Sequence, residues 1–210
     1  MATSKKEFKL KKINRRSFFS IISYFSIHLL NASNYCNITP MQPVGPFFKN
    51  KHINYSKDMT NNKKAKGEII QVKGKVLDKN CNPYSFTTVY IWQANTYGKY
   101  NHKHDISKNK IDYNFNGYTK IKTDKYGFYK FITIMPGGYK VSNDIIRPPH
   151  IHLFITTKNN KKLSTQLYVK DHPLNKKDFL FNTIKKSSLL ELDFKKASSD
   201  IKKAYLDIII

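Results

Sequence analysis

Hydrophobic and polar residues alternate in short runs along most of the chain, and this pattern predicts β-strands. Ile70, Val72 and Val76 share one face of a run that ends in the turn-forming segment 78–83. Residues 87–92 are apolar on both faces, which favours a strand that lies between two packed layers. Further β-branched or aromatic runs predict strands at residues 118–123, 128–134, 150–157, 163–169 and 205–210.

Turn signals separate these runs, and no long amphipathic helical pattern competes with them. Segments 124–127 and 135–138 both combine glycine with other turn-forming residues. We therefore expect an all-β fold, a prealbumin-like or immunoglobulin-like β-sandwich. Its long loops, at residues 97–117 and 170–188, are expected to surround an active site.

The first 33 residues differ from the rest of the chain. A basic region that contains Arg15 and Arg16 precedes the apolar stretch 18–30, which is the order found in secretory signal peptides. This stretch is too short and too often interrupted by polar residues to span a bilayer. Residues 14–19, NRRSFF, resemble a twin-arginine export signal. We expect residues 1–33 to direct the protein to the periplasm without a permanent membrane span; a cytoplasmic protein with a basic tail is the alternative.

The remaining length suits one folded domain. Residues 34–66 are rich in Asn, Lys and Pro and are expected to form an extended arm, and residues 67–210 are expected to form the sandwich. Cys36 and Cys81 have neither the spacing of a zinc site nor that of a multi-disulfide framework. A single bridge between them remains open.

The net charge of +24 at pH 7 would ordinarily indicate a nucleic-acid partner. Only three of the 38 cationic residues are arginine, however, and the planar guanidinium is the group that specific phosphate and base recognition uses most. We therefore expect no nucleic-acid partner. Arg147 is the one arginine after residue 33, and it stands next to the densest chemical motif of the chain.

That motif is the segment 147–152, RPPHIH. Residues two apart in a strand point to the same face, so His150 and His152 present two imidazoles to one side. The residues that follow are hydrophobic, which indicates a buried strand, and two buried imidazoles need partners. A metal ion is one such partner, but a His-x-His pair alone does not identify the metal.

Several segments of the chain resemble the intradiol ring-cleavage dioxygenases, and they occur in the order of that family. These segments are 74–78, 92–103, 123–129, 135–139, 147–152 and 164–168. The resemblance extends over about residues 38–210 and is greatest to the protocatechuate 3,4-dioxygenase beta-subunit branch. It implies a non-haem Fe(III) ion with four protein ligands, Tyr100, Tyr139, His150 and His152.

The resemblance also assigns roles to residues around the ion. Tyr139 is implied to be both the ligand that substrate displaces and the base that takes a substrate proton. Arg147 is implied to stabilise negative charge on the substrate ring, and Gln166 to assist it through a hydrogen bond. Two phenolates and one hydroxide balance the charge of a ferric ion, so the implied ligand set leaves no buried net charge.

The implied reaction uses O2 to cleave a catecholic aromatic, with protocatechuate the first candidate, to a cis,cis-muconate in aromatic compound catabolism. Val141 stands where protocatechuate enzymes commonly have Trp, so we expect a wider pocket on that side. The family pairs alpha and beta subunits, which implies an alpha-type partner or a homo-oligomer. The alternative function is a non-catalytic, exported prealbumin-like binding module whose histidine pair is incidental.

Overall fold

The computed structural model describes residues 35–49, 52–142, 145–196 and 201–210. Within these ranges the chain forms β-strands and three short 3-10 turns but no α-helix, and hence no helix that could cross a membrane. The predicted signal segment lies outside the described residues. The strands are β1 (Ile69–Leu77), β2 (Thr88–Trp92), β3 (Tyr118–Lys122), β4 (Phe128–Ile134), β5 (Tyr139–Lys140), β6 (Ile146–Arg147), β7 (His150–Thr156), β8 (Lys162–Val169), β9 (Glu191–Leu192), β10 (Lys195–Lys196), β11 (Lys202–Tyr205) and β12 (Ile208–Ile209).

Two five-stranded sheets of mixed strand direction form a sandwich. The first sheet has the order β10-β11-β1-β12, and β4 also pairs with β1 in antiparallel fashion. The second sheet has the order β3-β2-β7-β8-β9, in which β9 is parallel to β8. β5 and β6 form a separate two-stranded hairpin. The all-β sandwich expected from the sequence is therefore confirmed.

The predicted and observed strands agree closely where the alternation of polar and apolar residues is regular. Ile70, Val72 and Val76 are all buried on the inner face of β1, as their spacing predicted. The prediction of a single strand at residues 205–210 differs from the structure, in which this part of the chain forms two short strands, β11 and β12. A Cβ atom at Gly74 would lie only 1.8 Å from the carbonyl oxygen of Leu206, so the glycine permits a close backbone approach where the strand is interrupted.

The buried side chains form two clusters with different chemistry. The larger cluster is mainly aliphatic and fills the space between the sheets, with Ile70, Phe131 and Leu153 among its members. The smaller cluster is aromatic. Its buried members are Trp92, Ala94, Tyr100, Tyr118 and Tyr139. It therefore contains both tyrosines that the resemblance implies as metal ligands.

The segment 35–49, which we call the arm, is extended and contains no strand. A disulfide joins Cys36 to Cys81, so the bridge that the sequence left open is present in the structure. The Thr39 amide donates to the Ile209 carbonyl oxygen at 3.0 Å, and the Ile209 amide donates to Thr39 Oγ1 at 2.8 Å. These contacts hold the arm against the sandwich. The later residues of the arm pack against the aromatic cluster.

Candidate metal centre

The two histidines of β7 are buried and converge on one point. His150 Nδ1 lies 2.7 Å from the carbonyl oxygen of Pro148, so this nitrogen donates and Nε2 carries the lone pair. His150 Nε2 lies 3.2 Å from His152 Nε2. Two nitrogens that each bind one metal ion at about 2.1 Å lie at most about 4 Å apart, so this separation fits a shared ion.

Both imidazoles are neutral at physiological pH. Burial, together with the positive charge of Arg147, lowers the pKa of His150 to about 3. Burial, His150 and Arg147 lower the pKa of His152 well below its usual value. Neutral rings are the form in which histidine binds metal ions. Trp92 packs face to face on His152, with ring centroids 4.7 Å apart, and so forms a wall of the site.

Tyr100 lies in the loop after β2, and the loop folds tightly onto the β5–β6 hairpin. Gly98 has a φ of 74°, and a Cβ atom there would lie 2.2 Å from the Gly138 carbonyl oxygen. Only glycine therefore allows these two backbones to touch. The contact brings the ring of Tyr100 edge to face with that of Tyr139, at a centroid distance of 5.4 Å.

The tyrosine rings also approach the histidine rings. The centroid of Tyr139 lies 5.6 Å from that of His150, and the centroid of Tyr100 lies 6.4 Å from that of His152. The structure therefore brings together all four residues that were predicted to bind the metal. Their role as ligands remains a prediction.

The environment of both phenols favours the protonated form when no cation is close. Burial, reinforced by Tyr139 and Tyr118, raises the pKa of Tyr100 well above its usual value. Burial also raises the pKa of Tyr139, and the positive charge of Arg147 partly offsets this effect. A metal ion would therefore have to stabilise both phenolates.

The donor set fits a ferric ion. The Tyr100 hydroxyl is buried, and although it interacts with the Tyr139 hydroxyl it forms no hydrogen bond of normal geometry within the described residues, which is unfavourable unless another group binds it. Two phenol oxygens and two imidazole nitrogens are donors suited to a hard trivalent cation. The described ranges contain no group of three or more His, Cys, Asp or Glu side chains arranged for a metal. The cluster with two tyrosines is therefore the candidate centre.

Arg147 lies beside this cluster and is itself buried. It is the cross-strand partner of Tyr139 in the β5–β6 hairpin, and its Nη2 donates to Gln166 Oε1 at 2.8 Å. Its Nε donates to Asp178 in an ion pair, and Nη2 also approaches the Tyr168 hydroxyl at 3.3 Å. Burial acts to lower the pKa of Arg147, but Tyr139 and Asp178 outweigh it and raise that pKa, so the guanidinium remains charged.

Four residues of the site were not found from the sequence. Asp178 pairs with Arg147, the Tyr168 hydroxyl donates to Gln42 Oε1 at 3.2 Å, and Phe47 stacks on Tyr100 at 4.3 Å. Gln42 and Phe47 belong to the arm, whose composition suggested only an extended segment. A buried arginine needs a carboxylate, so the isolated Arg147 was a signal that an acidic partner existed, although not which one.

The chain matches a family model and is similar to several curated proteins. A family model described as dioxygenase matches residues 44–210. The beta chain of protocatechuate 3,4-dioxygenase from Burkholderia cepacia is 39% identical over 129 residues, which cover 60% of this chain and 55% of that protein. Catechol 1,2-dioxygenase from Acinetobacter baylyi is 29% identical over 163 residues, 70% of this chain and 51% of that protein. The chain thus spans about half the length of the curated relatives it matches.

Solved structures show the same fold. The dioxygenase domain of a dioxygenase carbohydrate-binding protein fusion from Streptomyces sp. SirexAA-E superimposes with a TM-score of 0.67 at 25% identity, over 83% of this chain and 98% of that one. Catechol 1,2-dioxygenase from Acinetobacter sp. gives a TM-score of 0.68 at 21% identity, over 94% of this chain and 78% of that one.

Proposed function

The chain belongs to the intradiol dioxygenase family, and from this premise we propose that it uses O2 to open the ring of a catecholic aromatic between the two hydroxylated carbons. The product is a cis,cis-muconate. One observation carries the proposal, namely the convergence in one buried cluster of Tyr100, Tyr139, His150 and His152.

We propose that these four side chains hold a non-haem ferric ion. When bound, the ion would act as a Lewis acid toward the catecholate oxygens and would make the ring reactive toward O2. The buried hydroxyl of Tyr100, which forms no hydrogen bond of normal geometry with the described residues, and the adjacent Nε2 atoms of His150 and His152 support this assignment. Phenolate ligands also compensate the charge of the ion in a buried site.

Residues of the chain accept a proton from the substrate and stabilise negative charge on its ring. Tyr139 is 8% exposed whereas Tyr100 is 1% exposed, so Tyr139 is the more accessible of the two phenols. We assign Tyr139 Oη as the base that accepts a proton from a substrate hydroxyl. Arg147 stabilises negative charge on the ring, and Gln166, which accepts a hydrogen bond from Arg147, assists it.

We propose protocatechuate as the substrate. The 39% identity to a protocatechuate enzyme, against 29% to a catechol enzyme, supports this choice, as does a net charge of +24 that attracts an aromatic carboxylate. Val141, two residues after Tyr139, is half-exposed and stands where protocatechuate enzymes commonly have Trp, so we propose a wider pocket on that side. A somewhat larger ring substituent would therefore also fit.

Oxygen uptake tests the reaction and the substrate together. Iron-loaded protein is supplied with protocatechuate, catechol or hydroxyquinol, and product spectra are recorded. We expect one O2 consumed per ring opened, fastest with protocatechuate, and a red-brown protein from tyrosinate-to-iron charge transfer. Iron-loaded protein that is colourless and inactive with all three compounds would instead support the non-catalytic binding module.

Arg147→Lys tests the role of the guanidinium. Lysine keeps the positive charge, but its ammonium group lacks the planar set of donors with which the Arg147 guanidinium binds both Asp178 and Gln166. We expect kcat to fall about 100-fold with iron content unchanged, the usual loss when one charge-stabilising donor is removed. Lys140→Arg, an exposed change in the same hairpin, should leave kcat unaltered. Unchanged turnover in Arg147→Lys would refute the role.

We further propose export to an oxidising compartment through the twin-arginine-type segment 1–33. The disulfide between Cys36 and Cys81 supports this, because such bridges persist outside the reducing cytoplasm. Fractionation of cells that produce the full chain is the test. Arg15→Lys/Arg16→Lys should hold the protein in the cytoplasm, and wild-type protein found only there would contradict export.

We also propose that the protein works with an alpha-type partner or as a homo-oligomer. The pairing of alpha and beta subunits in the family is the support for this proposal. Native mass and activity should be measured on the same sample. A fully active monomer would contradict it.

A further inference from the structure

Asp178 lies in the loop after β8 and is fully buried, with 0% of its surface exposed. One carboxylate oxygen, Oδ2, pairs with Nε of Arg147. The other oxygen, Oδ1, accepts the backbone N–H of Phe181 at 2.8 Å. Both oxygens therefore have partners inside the protein, and the orientation of the carboxylate is fixed.

The same contacts determine where the guanidinium of Arg147 lies. Asp178 holds the Nε edge, while Gln166 Oε1 accepts from Nη2. Gln166 is itself held, because its Nε2 donates to the Pro43 carbonyl oxygen of the arm at 3.0 Å. A planar group held along two edges has little rotational freedom, and Arg147 also interacts with the Tyr139 hydroxyl.

No other ion pair holds this arginine within the part of the chain that the structure describes. Its strand, β6, has only two residues, so the backbone alone does not fix a long side chain. The ring of Phe179 lies 5.6 Å from the guanidinium carbon and covers it without a directional bond. The carboxylate of Asp178 is the only charged group that pairs with Arg147 among these contacts.

We infer that Asp178 is a positioning residue for the ring-opening reaction, which acts by holding the Arg147 guanidinium toward Tyr139 and the bound ring. This inference rests on the proposed function. It predicts that loss of the Asp178 charge lowers kcat through Arg147 while iron binding is retained, in addition to the loss of stability that an unpaired buried arginine causes.

Asp178→Asn separates this role from a purely structural one. Asparagine keeps the size of the side chain and an Oδ1 acceptor for Phe181, but its charge is lost and its amide group opposes the donor Nε–H of Arg147. Asp193→Asn is the matched control, because Asp193 is a half-exposed carboxylate paired with Lys170 and Lys195. Asp178→Glu keeps the charge and provides a second variant if the Asn protein does not fold.

Four quantities are measured on each full-length variant. These are the free energy of unfolding, iron content, kcat and KM, and the rate at which phenylglyoxal modifies Arg147 in iron-free protein, read by peptide mass spectrometry. For Asp178→Asn we expect kcat about 100-fold lower, KM within about threefold, iron retained, and Arg147 modified about tenfold faster. Asp178→Glu should recover part of kcat, and Asp193→Asn should match the wild type.

A double variant gives the strictest comparison. If Asp178 acts through Arg147, then Asp178→Asn added to Arg147→Lys should lower kcat by less than about threefold further. Additive losses would overturn the inference, as would an Asp178→Asn protein in which Arg147 stays protected. If the wild type opens no catechol, the proposed function fails, but the reactivity of Arg147 still shows whether Asp178 positions it.

Discussion

At the scale of single residues, the site contains buried polar atoms that form no hydrogen bond with the described residues. Tyr100 Oη and His152 Nδ1 both lack a hydrogen bond among the described residues. Such atoms lower the free energy of unfolding, because water is lost and no hydrogen bond replaces it. Tyr129 is the contrasting case, since it is equally buried but donates to the Leu206 carbonyl oxygen at 2.7 Å.

Tyr100→Phe should therefore separate metal binding from stability. We expect iron content after dialysis to fall at least tenfold, whereas the iron-free variant should be as stable as the wild type or more stable by about 1 kcal/mol. Tyr129→Phe is the control, and it should lose about 1 kcal/mol but keep its iron. Metal analysis and urea unfolding in chelator measure both effects. Full iron content in Tyr100→Phe would exclude Tyr100 as a ligand.

At the scale of elements, regular patterns were predictable and long-range contacts were not. The strand alternation located β1, and the spacing of His150 and His152 placed both rings on one face of β7. The β5–β6 hairpin was missed, because strands of two residues have no period. The arm and Asp178 enter the site through contacts with residues far away in sequence, which no local pattern encodes. The four proposed ligands could be named because the family resemblance supplied that missing information.

The disulfide that holds the arm can be tested directly. Cys36→Ser/Cys81→Ser removes a bridge between residues 45 positions apart, and the closure of a loop of this length is worth about 4 kcal/mol. We expect urea unfolding to show a loss of this order. Dithiothreitol should produce the same loss in the wild type and none in the double-serine variant. Equal stability of the oxidised and reduced wild type would show that other contacts suffice to hold the arm.

At the scale of the whole molecule, charge and burial act together on stability. The chain carries a net charge of +24 with its seven histidines neutral, and protonation makes it more positive still. The sandwich keeps His150 and His152 neutral inside the protein, whereas in the unfolded chain both titrate near the usual histidine pKa. The folded protein therefore binds fewer protons than the unfolded chain below about pH 6.5.

Stability of the iron-free protein should consequently fall as the pH falls. The pKa of His150 is lowered to about 3 and that of His152 is also lowered. As the pH falls, the unfolded chain therefore binds protons at a higher pH than the folded protein does. For two such groups the free energy of unfolding drops by about 2 kcal/mol from pH 6.5 to pH 5.5. Urea unfolding at both values measures it, and His150→Gln/His152→Gln should flatten the dependence. A wild-type stability that does not change over this range would contradict the burial of neutral rings.

The pairing of the arm with β12 has a consequence for the order in which the site can form during synthesis. Thr39 bonds to Ile209, and β1 takes β11 and β12 as parallel partners. Residues 202–210 must therefore leave the ribosome before β1 or the arm has its complete set of neighbours. The part of the arm nearer to Phe47 is held instead by β8, where the Gln42 amide donates to the Ser164 carbonyl oxygen at 2.8 Å. The sandwich that would support an iron centre is therefore complete only after residues 202–210 have been translated, which suits an export route that accepts folded proteins.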